Sequence, residues 1–387
     1  FSLEPFRVTH SIPDSLGFVF RSRLGTIVHS GDFKIDPNPL DGQPCDLPFL
    51  AELGLQGVRV LFSDSTNVDV EGSSGGEASV GDTLAEYVKS AKQRLVVSMF
   101  GSNIYRLAAL LRGAAAAGRV TLALGRSLQT HLRVAERQGL LPRPLPTMIS
   151  PEMAQTTPRD KLLVIASGSQ AEPQAALSRL ATGTHNQLRL DPGDAVILSS
   201  RVIPGRERAI HALIDNLERM GLHVLQRFDD PKLHVSGHAC RDEQRALIEL
   251  VRPQTFVPVH GTYHHLKRHA ALARDLGVPE TVVIENGAVL ELNAGAAWLG
   301  TSAPSGRVHI QAGSELPPVV LRDRMLMAEV GMVLITLAVD SRGLLRARPR
   351  VLTRGVVWED AERDLLEDVI NEAELAVNKL SLPSEDD

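Results

Sequence analysis

Two loops of the sequence carry histidines at positions where they could do chemistry. They are His234-Val-Ser-Gly-His238 and, after a helical run, Pro258-Val-His260-Gly. Neutral imidazole is the commonest protein ligand for borderline metals, and it can also move a proton near neutral pH. Between the first two histidines, the backbone amides around Ser236 and Gly237 could turn toward an anion. Taken alone, these residues favour the simpler interpretation of two polar loops that happen to contain histidine.

A second group of histidines follows in His264-His265-Leu-Lys-Arg-His269. His265 and His269 lie one helical turn apart, a spacing that holds zinc in some hydrolases, but the glutamate of the HEXXH motif is missing. Lys267 and Arg268 stand between them. We therefore expect a solvated basic face, which could contact RNA, in preference to a metal site.

Four side chains on separated segments could hold metal ions: His10, Asp32, His238 and His260. A carboxylate can bridge two cations while imidazoles cap each one, and such a pair of ions can clamp and hydrolyse a phosphodiester. Asp32 follows a predicted strand, where a bridging carboxylate could be presented. A single histidine is usually a hydrogen-bonded polar group, and this alternative is preferred for His29.

The predicted secondary structure that must position these residues changes along the chain. Residues 1–72 predict short strands and loops, with a hairpin near the start. In 73–233 strands alternate with helices, and the strands are continuous apolar runs such as Leu162-Leu-Val-Ile-Ala166. Such runs are typical of a parallel sheet covered on both faces, so this section is predicted to be a doubly wound domain.

Short strands return in 234–303, where residues 281–284 and 288–292 are predicted to form a hairpin. The last section, 304–387, predicts a small α/β domain. The other elements predicted after residue 233 are helices at 241–251 and 263–276, strands at 307–310, 330–338 and 344–348, and a helix at 360–379.

Several strands of the doubly wound section end in small polar loops that precede helices. Backbone amides at a helix N-terminus form a natural phosphate site. Several such loops on one sheet edge, together with Arg126 and Arg201, favour an anionic ligand. The loops are Phe100-Gly-Ser-Asn103, Gly125-Arg-Ser127, Ser167-Gly-Ser-Gln170 and Ser199-Ser-Arg201. Because neither GxGxxG nor a Walker motif occurs, a nucleotide cofactor is not indicated.

Composition narrows the class of protein. The 387 residues are 43% hydrophobic and 22% charged with a net charge of −5, as in an ordinary globular protein of several domains. No apolar run reaches the roughly 18 residues of a membrane span, so no membrane partner is expected. The two cysteines, Cys45 and Cys240, cannot build a disulfide framework or a thiolate zinc site, and a cytoplasmic location is expected. The net charge excludes a global basic field, although a narrow groove can still be basic.

Several short motifs in register point to one family. They are Thr9-His-Ser-Ile-Pro-Asp-Ser15, His29-Ser-Gly-Asp-Phe-Lys-Ile-Asp36, Ser63-Asp-Ser-Thr-Asn67, Ser167-Gly-Ser-Gln-Ala-Glu-Pro173, Pro204-Gly205, Ser236-Gly-His238 and Pro258-Val-His-Gly-Thr-Tyr263. In this order and context they resemble the ribonuclease J family, the β-CASP ribonucleases of the metallo-β-lactamase fold. The resemblance covers nearly the whole chain, including Leu321-Arg-Asp-Arg324 in the appended domain.

The resemblance implies an α/β fold in which a β-CASP domain interrupts another domain. A partial metallo-β-lactamase-like domain would comprise 1–72 and a return segment, 234–303. The doubly wound β-CASP domain would be 73–233. A small, incomplete α/β C-terminal domain would occupy 304–387.

The resemblance also assigns roles to the metal and catalytic residues. His10 would ligate one zinc, Asp32 would bridge both zincs, and His260 would ligate the second. A complete family site holds two Zn²⁺, and Mn²⁺ or Mg²⁺ is possible. Asp64 would hold His238, which would steady the scissile phosphate or protonate the leaving oxygen.

A phosphate cradle is implied beside these catalytic residues, with His234 left open between strand packing and the edge of the cradle. The implied activity is that of a zinc-dependent ribonuclease with 5′–3′ exonuclease and some endonuclease activity in RNA maturation and mRNA decay. Its partners would be RNA, preferably 5′-monophosphorylated, and further copies of the chain in a homodimer or homotetramer. The implied substrate-binding residues are His234, Val235, Ser236, Gly237 and His238, with Ser102, Asn103 and Ile104 on the opposite wall.

One departure from the family pattern is serious. The signature His-x-His-x-Asp-His does not occur among the 13 histidines. In the family it precedes the segment that contains His10, so we expect it before Phe1 and expect this chain to be a fragment. A smaller departure is Ala171, where the family usually has glycine. The alternatives are a catalytically incompetent RNA-binding fragment, because three residues cannot hold two zincs tightly, and a less favoured DNA-processing β-CASP nuclease.

Overall fold

The computed structural model describes residues 1–293, 297–357 and 362–380. The chain divides into two compact units, 1–303 and 304–387. In the first unit the strands are β1 (Ser2–Arg7), β2 (Leu16–Ser22), β3 (Gly25–His29), β4 (Val60–Asp64), β5 (Leu95–Ser98), β6 (Val120–Leu124), β7 (Leu162–Ala166), β8 (Ala195–Leu198), β9 (His223–Leu225), β10 (Thr255–Val259), β11 (Glu280–Thr281), β12 (Ala288–Leu292) and β13 (Ala297–Ser302). Its α-helices are α1 (Leu47–Gln56), α2 (Glu77–Ser90), α3 (Ile104–Ala116), α4 (Arg126–Arg137), α5 (Pro151–Ala154), α6 (Ala176–Ala181), α7 (Glu207–Arg219), α8 (Arg241–Val251) and α9 (Tyr263–Asp275).

A six-stranded sheet joins segments from the two sides of the doubly wound section. Its order is β1-β2-β3-β4-β10-β11, and β10 runs parallel to β4, with Thr255 opposite Val60 and Val259 opposite Asp64. Since β3 is also parallel to β4, the loops that follow β3, β4 and β10 leave the same edge of the sheet. Asp32, Asp64 and His260 are brought to this edge by the topology alone.

The five-stranded sheet has the order β6-β7-β5-β8-β9, and all its neighbouring strands are parallel. One core packs Leu163 and Ile165 of β7 against α2, α3 and α4. The other packs Leu162 and Val164 of the same strand against α6 and α7. Alternate residues of a strand point to opposite faces, so an apolar run of this kind must be covered on both sides. The predicted doubly wound arrangement is confirmed.

The hairpin predicted between 281–284 and 288–292 is wrong. Thr281 pairs in parallel with Phe256, and the amide of Val282 also donates to the Phe256 carbonyl at 2.9 Å. The edge of the large sheet therefore takes this apolar segment, and β12 pairs antiparallel with β13 instead. The turn-like residues 285–287 lie just before β12, but they do not join it to the preceding strand, which ends at Thr281.

The second unit contains an antiparallel pair of long strands. Its helix α10 was not predicted, because its apolar residues, among them Val319, Leu326 and Val330, do not keep to one face and remain exposed. The predicted helix 360–379 corresponds to α11, apart from residues 360 and 361, which lie outside the described residues. The elements of this unit are β14 (Ile310–Gln311), β15 (Ser314–Glu315), α10 (Pro318–Val330), β16 (Met332–Val339), β17 (Leu345–Arg354) and α11 (Arg363–Leu380). None of the helices in the described chain has the length and apolar character that crossing a membrane requires.

Candidate metal centre and active-site cleft

Four side chains converge at the edge of the six-stranded sheet: Asp32, Asp64, His238 and His260. Each offers one potential ligand atom, and these atoms all lie within 4.8 Å of one another. Three follow or end strands of the sheet, while His238 comes from the loop before α8. Segments distant in the sequence thus meet at one point.

Hydrogen bonds and ionic contacts link the four side chains in series. Asp64 Oδ2 lies 2.7 Å from His238 Nδ1, and Asp64 Oδ1 lies 3.4 Å from His260 Nδ1. The same nitrogen of His260 lies 3.1 Å from Asp32 Oδ1. Asp64 is 1% exposed, whereas the side chains of Asp32 and His260 are each 49% exposed. Asp64 therefore forms the floor of the group, and the other two side chains reach solvent.

The charges in this group depend on these contacts. Burial by itself would raise the pKa of Asp64, but hydrogen bonds from His238 and His260 outweigh burial and hold that pKa well below its ordinary range. Hydrogen bonds to Asp32 and Asp64 raise the pKa of His260 to about 10. The backbone of His260 has φ +56°, a left-handed conformation that non-glycine residues rarely adopt. The surrounding structure thus holds this side chain at the group against a local backbone preference.

The donor set fits a divalent metal ion. Two carboxylates and two imidazoles are oxygen and nitrogen ligands of the kind that borderline divalent metals accept. Because all four donors already converge, little rearrangement of the backbone would be needed for them to face one ion. From the sequence, Asp64 was expected only to hold His238, yet the structure places it among the potential ligands.

His10, a ligand implied by the resemblance, lies next to this group but is not one of the four. Its ring centroid is 4.8 Å from that of His238. Its Nδ1 donates to the Gly237 carbonyl at 2.6 Å, and its Nε2 lies 3.2 Å from Ser11 Oγ. Burial lowers the pKa of His10, so the ring is neutral with its lone pair on Nε2. That nitrogen is the atom by which His10 could reach a metal.

The predicted phosphate cradle is already partly engaged in internal hydrogen bonds. The His238 amide donates to Ser236 Oγ at 3.1 Å. The same oxygen accepts from Asn67 Nδ2 at 2.8 Å, and Asn67 Nδ2 also lies 2.9 Å from the His238 carbonyl. A Cβ on Gly237 would lie 2.8 Å from atoms of both His10 and Ser11. The Ser236 hydroxyl proton remains available to a ligand, and glycine is required at 237 for this close approach.

A cleft of roughly 530 Å³ opens beside the four donors. Asn103 lines it, but Ser102 and Ile104 are not among the described residues that do. The Asn103 and Ile104 amides donate to the carbonyls of Phe100 and Ser102 within the loop. The implied opposite wall thus contributes through Asn103. The cleft is lined by Ser11, Thr66, Asn67, Phe100, Asn103, Arg106, Arg201, Val202, Ile203, Pro204, His234, Val235, Ser236, Gly237, His238, His260, Gly261, Thr262 and His265.

His234, which the sequence left open, is a buried hydrogen-bond acceptor that also lines the cleft. Its Nδ1 lies 3.0 Å from Arg106 Nη1. Burial, followed by the charges of Arg106, Arg227 and Arg201, lowers the pKa of His234 to about 2. The ring is therefore neutral at any physiological pH and accepts the guanidinium proton.

Three functional candidates were not among the implied site residues: Asn67, Arg106 and Arg201, of which Arg201 was noted only with the strand-end loops that favour an anionic ligand. Arg201 Nη1 donates to Asn67 Oδ1 at 2.5 Å, which places a cation on the cradle. Signals existed for two of them, since Asn67 ends the Ser63–Asn67 motif and Arg201 belongs to a polar strand-end loop. Arg106 lies inside α3, where a helix sequence gives no sign that an arginine is buried.

The predicted basic face of α9 is wrong for His269. This residue is fully buried, with Nδ1 3.0 Å from Ser65 Oγ and its ring packed edge-on against Phe256 at 4.7 Å. Burial lowers the pKa of His269 to about 3. A helix packed on a sheet turns one side inward, and the position four residues after His265 falls on that side.

Comparison with known proteins finds domains of one family along the chain. The description "Ribonuclease J, beta-CASP domain" matches residues 92–217, and "Zn-dependent metallo-hydrolase RNA specificity domain" matches residues 231–284. The description "Ribonuclease J C-terminal domain" matches residues 319–387. A crystal structure of a protein of unknown function from Enterococcus faecalis V583 is similar in fold, with a TM-score of 0.50 and 14% identity over 77% of this chain and 63% of that chain.

Curated relatives carry the same family name. Ribonuclease J from Corynebacterium glutamicum is 37% identical over 100% of this chain and 54% of its own length. Ribonuclease J from Mycobacterium tuberculosis is 37% identical over 92% of this chain, and Ribonuclease J2 from Bacillus subtilis is 34% identical over 91%. In each of these two relatives the match spans 64% of the relative's length. The motifs and these similarities agree, and the chain belongs to the ribonuclease J family.

Proposed function

We propose that this protein is a zinc-dependent ribonuclease with 5′–3′ exonuclease and some endonuclease activity, acting in RNA maturation and mRNA decay. One observation carries the proposal: Asp64 and His238, 2.7 Å apart, lie beside Asp32 and His260 where the cleft opens. A polarised imidazole next to a metal-competent acidic group is suited to phosphodiester hydrolysis. The family descriptions matched by the chain support RNA as the substrate and zinc as the metal.

Asp32, Asp64 and His260 would hold the metal, with His10 at the edge of the group. When bound, zinc would supply Lewis-acid chemistry and lower the pKa of water. Mn²⁺ or Mg²⁺ could take the same oxygen donors, although the imidazole ligands favour zinc.

The proposed role of His238 follows from its partner. Asp64 is ionised, because its pKa lies well below the ordinary range, so it accepts the proton on His238 Nδ1. This fixes the orientation of the ring and leaves Nε2 to face the substrate. In its protonated form, Nε2 can steady the scissile phosphate and donate a proton to the leaving oxygen.

The remainder of the cleft suits a single strand of RNA. Arg201, Asn67 and Ser236 form a polar corner for a phosphate. Phe100 and Ile203 also line the cleft and are 37% and 48% exposed, which provides apolar surface on which a base can pack. We extend the proposal to a preference for 5′-monophosphorylated RNA, assembly as a homodimer or homotetramer, and a cytoplasmic location, which the two free cysteines support.

The test is hydrolysis of 5′-monophosphorylated RNA by the purified protein in the presence of Zn²⁺ or Mn²⁺. His238→Ala and Asp32→Ala should each lower kcat by at least about 100-fold. His211→Ala is a matched control, since this histidine is exposed on α7 and does not line the cleft. Undiminished cleavage by the first two variants would refute the site assignment, and equal cleavage of single-stranded DNA would refute the RNA specificity.

A second candidate is an RNA-binding chain that does not hydrolyse RNA. It is supported by the missing His-x-His-x-Asp-His motif, because the four donors that the described residues bring together are too few to hold two ions tightly. Zinc content after dialysis separates the two candidates. About two zincs per chain would exclude the binding-only chain, whereas near-zero zinc together with RNA binding would favour it.

A further inference from the structure

We propose that Glu243 is a positioning residue that holds the Asp32 loop and the His238 loop in register. This inference rests on the proposed function only in taking those two loops to carry metal ligands and a catalytic histidine. Glu243 lies in the first turn of α8, and its side chain is 5% exposed. Among the described residues, Glu243 is neither one of the four donors nor part of the cleft lining, so we expect any effect on the site to act through the loops that it binds.

The carboxylate of Glu243 accepts four hydrogen bonds from three separate segments. The Ile35 amide donates to Oε1 at 2.9 Å. The Ser74 hydroxyl donates to Oε1 and the Ser74 amide to Oε2, both at 2.8 Å. The Cys240 amide donates to Oε2 at 2.7 Å. A capping box at a helix N-terminus needs only the last of these bonds, so the other three serve something beyond the helix.

Each of the two loops bound by Glu243 carries one of the four potential metal ligands. Ile35 is three residues after Asp32, and Cys240 is two residues after His238. Between these points the Ala239 amide donates to the Phe33 carbonyl at 2.6 Å. On its own this bond would let the two loops rotate about it, but Glu243 adds a hydrogen bond to each loop beside it and so restricts that rotation.

The third segment is the connection that enters the doubly wound section. Ser74 gives Glu243 both its amide and its hydroxyl, and the Asp242 amide donates to the Gly72 carbonyl at 3.2 Å. One carboxylate therefore fixes the donor loops and the start of the insertion together. The requirement is for four acceptor positions on two oxygens, which only an ionised carboxylate provides.

Glu243→Gln keeps the shape of the side chain but replaces one acceptor oxygen with an NH₂ group. We expect hydrogen exchange at the amides of Ile35, Ser74 and Cys240 to become roughly tenfold to hundredfold faster, because hydrogen bonds to a charged acceptor are lost. Affinity for Zn²⁺ alone, measured by titration calorimetry, should fall at least about tenfold. Asp242→Asn is the matched control, since it removes the same charge from the same helical turn but at an exposed position.

Three outcomes would overturn the proposal: unchanged amide exchange in Glu243→Gln, zinc affinity equal to that of Asp242→Asn, or equal effects of both variants on exchange. If Glu243→Gln does not fold, Ser74→Ala removes only the hydroxyl bond, and Ile35 exchange must then rise severalfold. RNA hydrolysis by Glu243→Gln should lose kcat with KM little changed. A wild-type protein that binds zinc without cleaving RNA would refute the proposed function, while the exchange data would still decide the role of Glu243.

Discussion

Replacing Arg106 with methionine tests whether a buried ionic network holds the wall of the cleft. The side chain of Arg106 is 1% exposed. Its guanidinium donates to Glu77 Oε1 at 2.7 Å, to the Ser199 carbonyl at 2.7 Å and to His234 Nδ1 at 3.0 Å. Arg106→Met fills a similar volume but leaves the 3% exposed Glu77 without its cation and removes a donor from the two other acceptors.

The expected loss of stability can be estimated from these contacts. Removing one partner of a buried ion pair typically destabilises a protein by about 3–5 kcal/mol, because the remaining charge stays buried without its partner. Asn103 Nδ2 still donates to Glu77 Oε1 at 3.1 Å, so we expect about 3–4 kcal/mol. Adding Glu77→Gln to Arg106→Met should recover at least about 1 kcal/mol, since it removes the unpaired charge.

Urea unfolding followed by circular dichroism measures both effects, with similar m-values for all variants. The control is Arg112→Met, because Arg112 is exposed on the same helix and its loss should change stability by less than about 0.5 kcal/mol. A loss below about 1 kcal/mol for Arg106→Met would refute the reasoning. The reasoning would also be refuted if Arg106→Met lowered the stability of the Glu77→Gln variant as much as that of the wild type.

Three further substitutions test single features of the fold and site. Gly54→Ala should destabilise the protein by about 1–3 kcal/mol in urea unfolding, because its Cβ would lie 2.1 Å from the Leu250 carbonyl oxygen where α1 packs on α8; a stabilised variant would contradict that packing. Gly237→Ala should weaken RNA binding at least about tenfold by filter binding, since its Cβ would displace His10 and Ser11, and unchanged affinity would count against the cradle. Burial lowers the pKa of His269 to about 3, below the unfolded value of about 6.5, so the unfolded chain binds more protons and stability falls as pH drops below about 6.5. Between pH 7 and pH 5 this histidine should account for about 2 kcal/mol of lost stability, and His269→Phe should flatten the pH dependence by that amount; an unaltered slope would refute the assignment.

Sequence patterns were sufficient to predict a strand where every residue of a continuous run is apolar and buried. Leu162–Ala166 is apolar at every position, and a strand of a covered parallel sheet is buried on both faces, so pattern and structure coincide. Motif resemblance supplied the side chains of the site, because Asp32, Asp64, His238 and His260 lie in short segments that could be matched one by one. Their convergence within 4.8 Å could not be read from spacing, since it depends on which strands pair.

The sequence failed where a polar residue is buried by its neighbours in space. His269 looked like part of a basic surface because Lys267 and Arg268 precede it, yet α9 turns it toward Phe256. In the sequence, Arg106 and Glu243 also look like ordinary solvated residues of a helix. Which side of a helix faces a sheet is decided by packing, and a charged residue carries no sequence mark of its burial.

These buried charges share a location that explains their presence. Lys34 and Asp36, 1% and 3% exposed, pair at 3.6 Å; Lys34 also donates to the Gly75 carbonyl, and Asp36 accepts from the Glu77 amide. With Arg106 bound to Glu77 and Glu243 bound to Ser74, these buried ionic groups contact the chain where it enters the doubly wound section. Burying ions seldom adds net stability, because desolvation offsets their attraction, whereas their directional bonds can fix one geometry. We infer that these bonds fix the doubly wound section in one position relative to the Asp32 and His238 loops, at little net gain in stability. Arg106→Met and Glu243→Gln should therefore each speed amide exchange across 72–77.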